Sequence, residues 1–240
     1  MSEQPRDPVP FRPYVRGSQP ENDSPSYGST RKRHPSQPLL RVPHTITETT
    51  GPQFTPDKYP PIVDISKKAN GEAALGERII VAGRVTDEDG RPVANTMIEI
   101  WQANAAGRYP HEGDQHDAPE DPEFRGVGRA FADAEGRYRF QSIKPGAYPW
   151  RNHKNAWRPN HIHYSLFGPG FATRLITQMY FPGDPLLPLD PIFNTVPDAA
   201  ARDRLIARFD LDITEPEYAL GYRFDFVLRG RGATPFEETR

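Results

Sequence analysis

Prolines and glycines punctuate this chain so often that no stretch is free to run as a long helix. The 28 prolines and 19 glycines cut it into short runs with the alternating or densely apolar pattern of strands. Residues 78–85 form one such run, closed by the turn Asp87-Glu88-Asp89-Gly90. Residues 93–101 form the next, with Met97, Glu99 and Trp101 alternating against Ile98 and Ile100. The turn Asp133-Ala134-Glu135-Gly136 leads into residues 137–143, which Pro145-Gly146 ends. Three more strands are expected at 161–167, 175–181 and 222–229. One helix is expected at 198–209, capped by Asp198, with Leu205, Ile206 and Phe209 as a short apolar stripe. Together these predict an all-β fold: a β-sandwich core with an extended Pro-rich N-terminal arm, long loops and a short helix.

Thirteen of the prolines fall within residues 1–61. That segment lacks a periodic apolar pattern, yet Phe11, Tyr14, Tyr27, Leu39, Leu40 and Val42 are too apolar for a purely solvated tail. It reads as an arm laid over a surface, with residues 62–240 as the sandwich domain. Arg31-Lys32-Arg33 reads as a solvated or interface patch, because 30 Lys+Arg against 32 Asp+Glu leave no basic excess for nucleic acid. No apolar run approaches the ~18 residues of a membrane span. The N-terminus lacks the apolar stretch of a secretory signal. Cysteine is absent, which fits a reducing cytoplasm and excludes disulfides, thiolate metal sites and thiol nucleophiles. Any metal must be held by nitrogen and oxygen.

The segment Arg158-Pro159-Asn160-His161-Ile162-His163 is where chemistry concentrates. Histidines at i and i+2 of a strand point to the same face, and two neutral imidazoles there can hold a metal ion. No carboxylate follows closely, since Tyr164-Ser165-Leu166-Phe167 comes next, which weakens a cupin-like or two-His-one-carboxylate site. The other histidines, His34, His44, His111, His116 and His153, offer no comparable spacing, and the last three lie in solvated loops. Two tyrosines stand out instead. Tyr109 and Tyr148 each sit just past a strand and precede a proline, which holds them extended in a rigid loop. A phenolate is a ligand for a strongly Lewis-acidic cation, with ferric iron the foremost candidate. Two Tyr, two His and a hydroxide would balance its three charges. A tyrosine before proline is nonetheless more often a packing residue, and a lone His-x-His pair is more often unrelated to metal. Spacing alone leaves both readings open.

Taken together, Tyr109, Tyr148-Pro149-Trp150-Arg151, residues 158–163 and Gln178-Met179-Tyr180-Phe181 resemble the intradiol ring-cleaving dioxygenases. Residues 44–52, 76–84 and 222–230 extend the resemblance over roughly residues 40 to 230. It implies a mononuclear non-haem Fe(III) centre with Tyr109 and His161 equatorial and Tyr148 and His163 axial. It further implies that Tyr148 acts as a base when it leaves the metal, that Arg158 stabilises charge on the substrate, and that Gln178 lies near the ring. Trp150 and Ile192 would line the ring pocket, with Tyr27 and Arg151 as candidates for a substrate carboxylate. The branch it matches best cleaves protocatechuate with O2 in aromatic catabolism and pairs with a homologous α subunit. Catechol- and hydroxyquinol-cleaving members carry a helical N-terminal region that residues 1–61 lack. A rival of another class is a transthyretin-like sandwich module without chemistry. It accounts for residues 87–101 and 136–148 but gives no reason for Arg158, His161, His163 and Tyr109 together.

Overall fold

Strand β1, Arg78–Thr86, is the axis of the first sheet, and its apolar residues Ile79, Val81 and Val85 are fully buried. The computed structural model describes residues 15–32, 34–37, 54–69, 71–150, 156–168 and 174–237. β2 spans Met97–Trp101, β3 Val127–Phe131 and β4 Arg137–Ile143. A short ribbon follows from β5, Tyr148–Pro149, and β6, Trp157–Arg158. β7 is His161–Phe167 and β8 is Arg174–Tyr180. The chain closes with β9 (Arg208–Phe209), β10 (Leu220–Arg223) and β11 (Phe226–Val227).

One sheet runs β11-β1-β10-β9, with β4 also paired to β1; the other runs β3-β2-β7-β8. Their inner faces meet in one core: Ile79, Val81, Tyr138, Phe140, Tyr222 and Phe226 against Ile98, Ile100, Ile162, Tyr164, Leu166 and Met179. This is the expected all-β sandwich. Both Asp-to-Gly turns form as the sequence predicts. Asp87 Oδ1 accepts from the amides of Asp89 and Arg91, and Asp133 Oδ1 from those of Glu135 and Arg137.

Four expectations need correction. Residues 93–96 are not strand: Thr96 Oγ1 donates back to Val93 O, and Asn95 takes a left-handed turn conformation. The run 222–229 is broken, because the Asp225 carboxylate, in place of a backbone carbonyl, accepts the amide of Arg84. β3, with Gly128 and Arg129 at its centre, was not expected as a strand at all. Helix α1 covers only Ala199–Asp203, capped by Asp198 Oδ1 on the Ala201 amide. Beyond it the chain pairs with the end of β8, through Tyr180 N to Leu205 O and Ala207 N to Tyr180 O. Phe209 therefore lies in β9, exposed, and not on a helix stripe.

Described parts of the first 61 residues touch the sandwich at separate points. Asp198 N donates to Gly17 O, and Phe236 N donates to Gln19 Oε1. Phe11, Tyr14, Arg33, Leu39, Leu40 and Val42 lie outside the described residues. No helix among the described residues is long and apolar enough to cross a membrane.

Candidate metal centre

β7 turns Ile162, Tyr164 and Leu166 into the core, so His161 and His163 project from the opposite face of the sheet. Register then decides their neighbours. His161 pairs with Tyr180 and His163 with Gln178 on β8, while His163 pairs with Trp101 on β2. Cross-strand partners share a face. The His163 ring accordingly stacks on Trp101 at a centroid distance of 4.9 Å and an interplanar angle of 4°.

Two loops bring the tyrosines over this face. Tyr148 comes on the β5–β6 ribbon, where it pairs with Arg158, directly before the Pro159-Asn160 turn into β7. Tyr109 comes from the loop after β2. Its amide donates to Asp114 Oδ2 at 2.8 Å, and Asn104 Oδ1 accepts from the amides of Ala106 and Arg108. The two loops are pressed together at glycines. A Cβ on Gly107, which has φ +80°, would lie 2.1 Å from Ala147 O, and one on Gly146 would lie 2.3 Å from Ala105 O.

Four donor atoms thereby converge. Tyr148 Oη lies 3.1 Å from His161 Nε2, His161 Nε2 lies 3.2 Å from His163 Nε2, and His163 Nε2 lies 3.1 Å from Tyr109 Oη. Donors each about 2.1 Å from a shared ion, at right angles, stand about 3 Å apart, so the spacing fits a single cation. The His161 tautomer fits as well: Nδ1 donates to Pro159 O at 2.6 Å, which leaves a lone pair on Nε2. Burial, with Arg158 and His163 beside it, holds His161 well below the ordinary imidazole range, so the ring is neutral. Burial also drives the Tyr109 phenol well above its ordinary value of 10.0, with Tyr148 adding to the rise. It raises Tyr148 too, against the opposing charge of Arg158. Phenols this reluctant to ionise become ligands only for a strong Lewis acid. Among the described residues no group of three or more His, Cys, Asp or Glu side chains is placed to hold a metal. Two phenols complete this donor set instead.

Arg158 lies against the cluster, Nη1 3.3 Å from His161 Nε2, and is almost fully buried. Its Nε and Nη2 donate to Asp190 Oδ1 and Oδ2 at 3.1 and 2.9 Å. Nη2 also donates to Gln178 Oε1 at 2.6 Å. Tyr180 Oη completes the network, 2.9 Å from Gln178 Oε1 and 3.1 Å from Asp190 Oδ2. Burial disfavours the Arg158 charge, but Tyr180, Asp190 and Tyr148 outweigh it and raise its pKa. Tyr180 enters a sequence reading only as part of residues 178–181, without a role of its own. Asp190 escapes it, since nothing local marks a lone Asp between prolines as the counter-ion of a distant Arg. Glu237 escapes it too. Burial alone would raise its carboxyl, yet His163, Gln178 and Arg158 hold it down to about 2.

The other expected residues divide. Trp150 sits under Arg158, whose Cζ is 5.7 Å from the ring centroid, and Tyr27 meets Trp150 edge-on at 5.2 Å. Tyr109, Tyr148 and Trp150 line a cleft of about 860 Å³ together with Trp101, His111 and His116. His116 is half-buried, edge-on to Trp157, and so is not the fully solvated residue expected. Ile192 is not part of that cleft. It borders a separate small void with Gln178 and Tyr180, and its amide donates to Asp190 Oδ1. Arg151, His44 and His153 lie outside the described residues.

Comparison with known proteins gives the family. A family model described as Dioxygenase matches residues 49–230, and one described as Protocatechuate 3,4-dioxygenase beta subunit N terminal matches residues 12–45. The chain belongs to the intradiol ring-cleaving dioxygenases. Within that class it is 60% identical over 223 residues to the protocatechuate 3,4-dioxygenase beta chain of Burkholderia cepacia, across 92% of this chain and 94% of that one. The protocatechuate 3,4-dioxygenase alpha chain of the same species is 30% identical, across 82% of this chain and 98% of the alpha chain. Among solved structures, the dioxygenase domain of a dioxygenase–carbohydrate-binding protein fusion from Streptomyces sp. SirexAA-E aligns with a TM-score of 0.51. It is 28% identical, over 75% of this chain and 94% of that domain.

Proposed function

We propose that this chain is the iron-bearing β partner of an α/β enzyme. The enzyme cleaves protocatechuate between its two hydroxylated carbons with O2, giving 3-carboxy-cis,cis-muconate. The observation that carries this reading is the cluster of four donors, at successive spacings of 3.1, 3.2 and 3.1 Å, in a chain this similar to a beta chain of that name. Tyr109, Tyr148, His161 and His163 would hold the ion. When bound, ferric iron supplies Lewis acidity and draws electron density from a chelated catecholate, opening its ring to O2.

The chain's own residues do the rest. Catechol must lose two protons to bind through both oxygens. Tyr148 Oη, a phenolate while it holds the ion, would take one, acting as general base, and burial of its phenol above the ordinary range favours keeping that proton; the hydroxide that balances the ion's third charge would take the other and leave as water. Arg158 stays charged and is no base. Poised between Tyr148 and Asp190, it stabilises negative charge developing on the ring in a site poor in water. Gln178 holds Arg158 in place, Trp150 walls the cleft, and Tyr27 packs edge-on against Trp150. The substrate supplies all the electrons that reduce O2 and both oxygen atoms enter the product, so no nicotinamide, flavin or external reductant is needed.

The test is oxygen uptake by the chain co-expressed with its α partner. Protocatechuate should consume one O2 per molecule, and the iron-loaded protein should be red from phenolate-to-iron charge transfer. A colourless iron-loaded protein would remove the two phenolates from the ligand set. Turnover of catechol without protocatechuate would move the reading to the catechol-cleaving branch.

A further inference from the structure

We propose that Glu237 is a positioning residue of the metal centre, its carboxylate serving as the acceptor toward which the Nδ1–H of His163 points, so that Nε2 is presented to the ion. This rests on the reading that the four donors hold a metal. The two histidines are oriented by different means. His161 has a backbone acceptor for Nδ1, the Pro159 carbonyl at 2.6 Å. His163 has none: its buried Nδ1 finds no hydrogen-bond partner at ordinary range, and the group facing it is Glu237 Oε2 at 3.5 Å. Stacking on Trp101 sets the plane of the His163 ring, but a half-turn about Cβ–Cγ keeps that plane and removes Nε2 from the cluster. An acceptor on the Nδ1 edge is what distinguishes the two orientations. Its position on that edge, away from Nε2, makes Glu237 an orienting group and not a ligand.

The carboxylate is delivered by a pinned backbone. Glu237 N donates to Ile176 O at 2.8 Å and Thr177 Oγ1 donates to Pro235 O at 2.6 Å, which fastens the segment to β8. Thr234 exchanges hydrogen bonds with Val227 on β11, N to O and N to Oγ1, each at 2.9 Å. From the N-terminal segment, Gln19 Oε1 takes the Phe236 amide at 3.0 Å. Residues 233–237 thus form a strap across β8 that ends at the metal centre. Glu237 also shares the small void behind Gln178, the residue that holds Arg158. One side chain therefore borders both the donor cluster and the guanidinium network.

The experiment compares full-length wild type, Glu237→Ala and Glu237→Gln, each co-expressed with the α partner and loaded with iron. Iron content, release to a chelator, the charge-transfer band and the melting temperature are followed. Loss of an orienting partner typically costs about tenfold to a hundredfold in metal affinity. Glu237→Ala should release iron faster by that order and shift the band to longer wavelength, because a less basic imidazole leaves the ion more electron-poor. Glu237→Gln, which keeps an acceptor oxygen, should fall between, with melting temperatures little changed. Variants that retain iron and the band as wild type does would overturn the proposal. A wild-type chain that takes up no iron overturns the underlying reading, and this inference with it.

Discussion

Arg158 and Asp190 are both almost fully withdrawn from water. A buried ion pair adds little net stability, because desolvation consumes most of its attraction, but losing one partner costs about 3–5 kcal/mol. The pair is therefore better explained by where it holds the guanidinium than by what it adds to folding. Asp190→Ala should destabilise the chain by about that amount in denaturant unfolding. Replacing both, Arg158→Met with Asp190→Leu, should recover much of the loss while turnover stays abolished. A double variant that keeps turnover would remove Arg158 from the proposed mechanism. Tyr148→Phe separates binding of iron from handling of the proton. It should retain iron, yet slow substrate binding and product release in transient kinetics. Unchanged transients would take Tyr148 out of the base role.

The site depends on loops meeting as much as on side chains. Tyr109 and Tyr148 are 39 residues apart, and what joins them is the contact of the 103–108 and 145–148 segments at two glycines. Gly146 N donates to Asn104 O at 2.9 Å across that contact. Gly107 is left-handed and has no room for a Cβ. Gly107→Ala should cost about 1–2 kcal/mol for the backbone conformation alone. The clash with Ala147 O adds to this and prises the phenols apart. Weakened iron retention together with a lowered melting temperature is the expected result. Retention equal to wild type would show that the loops do not set the donor spacing. The β7–β8 pair is different in kind. There the alternation His-Ile-His was readable as one face of a strand, and the structure keeps it. Helix 198–209 failed as an expectation because pairing with β8 captured residues 205–207, a long-range gain that an apolar stripe does not reveal.

Across the molecule, buried tyrosines tie stability to alkaline pH. Burial raises the phenols of Tyr138 and Tyr164 well above 10.0. Above about pH 10 the unfolded chain releases these protons and the fold retains them, so the native state binds more protons and stability falls as pH rises. The stabilisation is fully present below that pH and is lost through the window above it, at about 1.4 kcal/mol per pH unit for each tyrosine. Tyr164→Phe should flatten that loss by one proton, with little change at neutral pH, since its hydroxyl faces only the weak acceptor Met179 Sδ at 3.7 Å. An unchanged alkaline slope in pH-dependent urea unfolding would sink the assignment. The N-terminal segment and the strap at residues 233–237 meet through Gln19 and Phe236, so both ends of the described chain are fastened together beside the sheet that carries the two histidines.

Local chemistry wrote much of this into the chain. Asp-to-Gly turns, strand alternation and the i, i+2 histidines are short-range properties, set by backbone geometry within a few residues, and they hold in the fold. The absence of cysteine limited any metal to nitrogen and oxygen donors. Which oxygens converge was another matter. Tyr109, Tyr148 and Glu237 reach the β7 histidines from three separate segments, and Asp190 acts on His161 only through Arg158. Their meeting depends on sheet register, on two glycines that admit a close loop contact, and on a terminal strap hydrogen-bonded to β8. Each of those is a contact between residues distant in sequence, whose free energy appears only when the sandwich has closed.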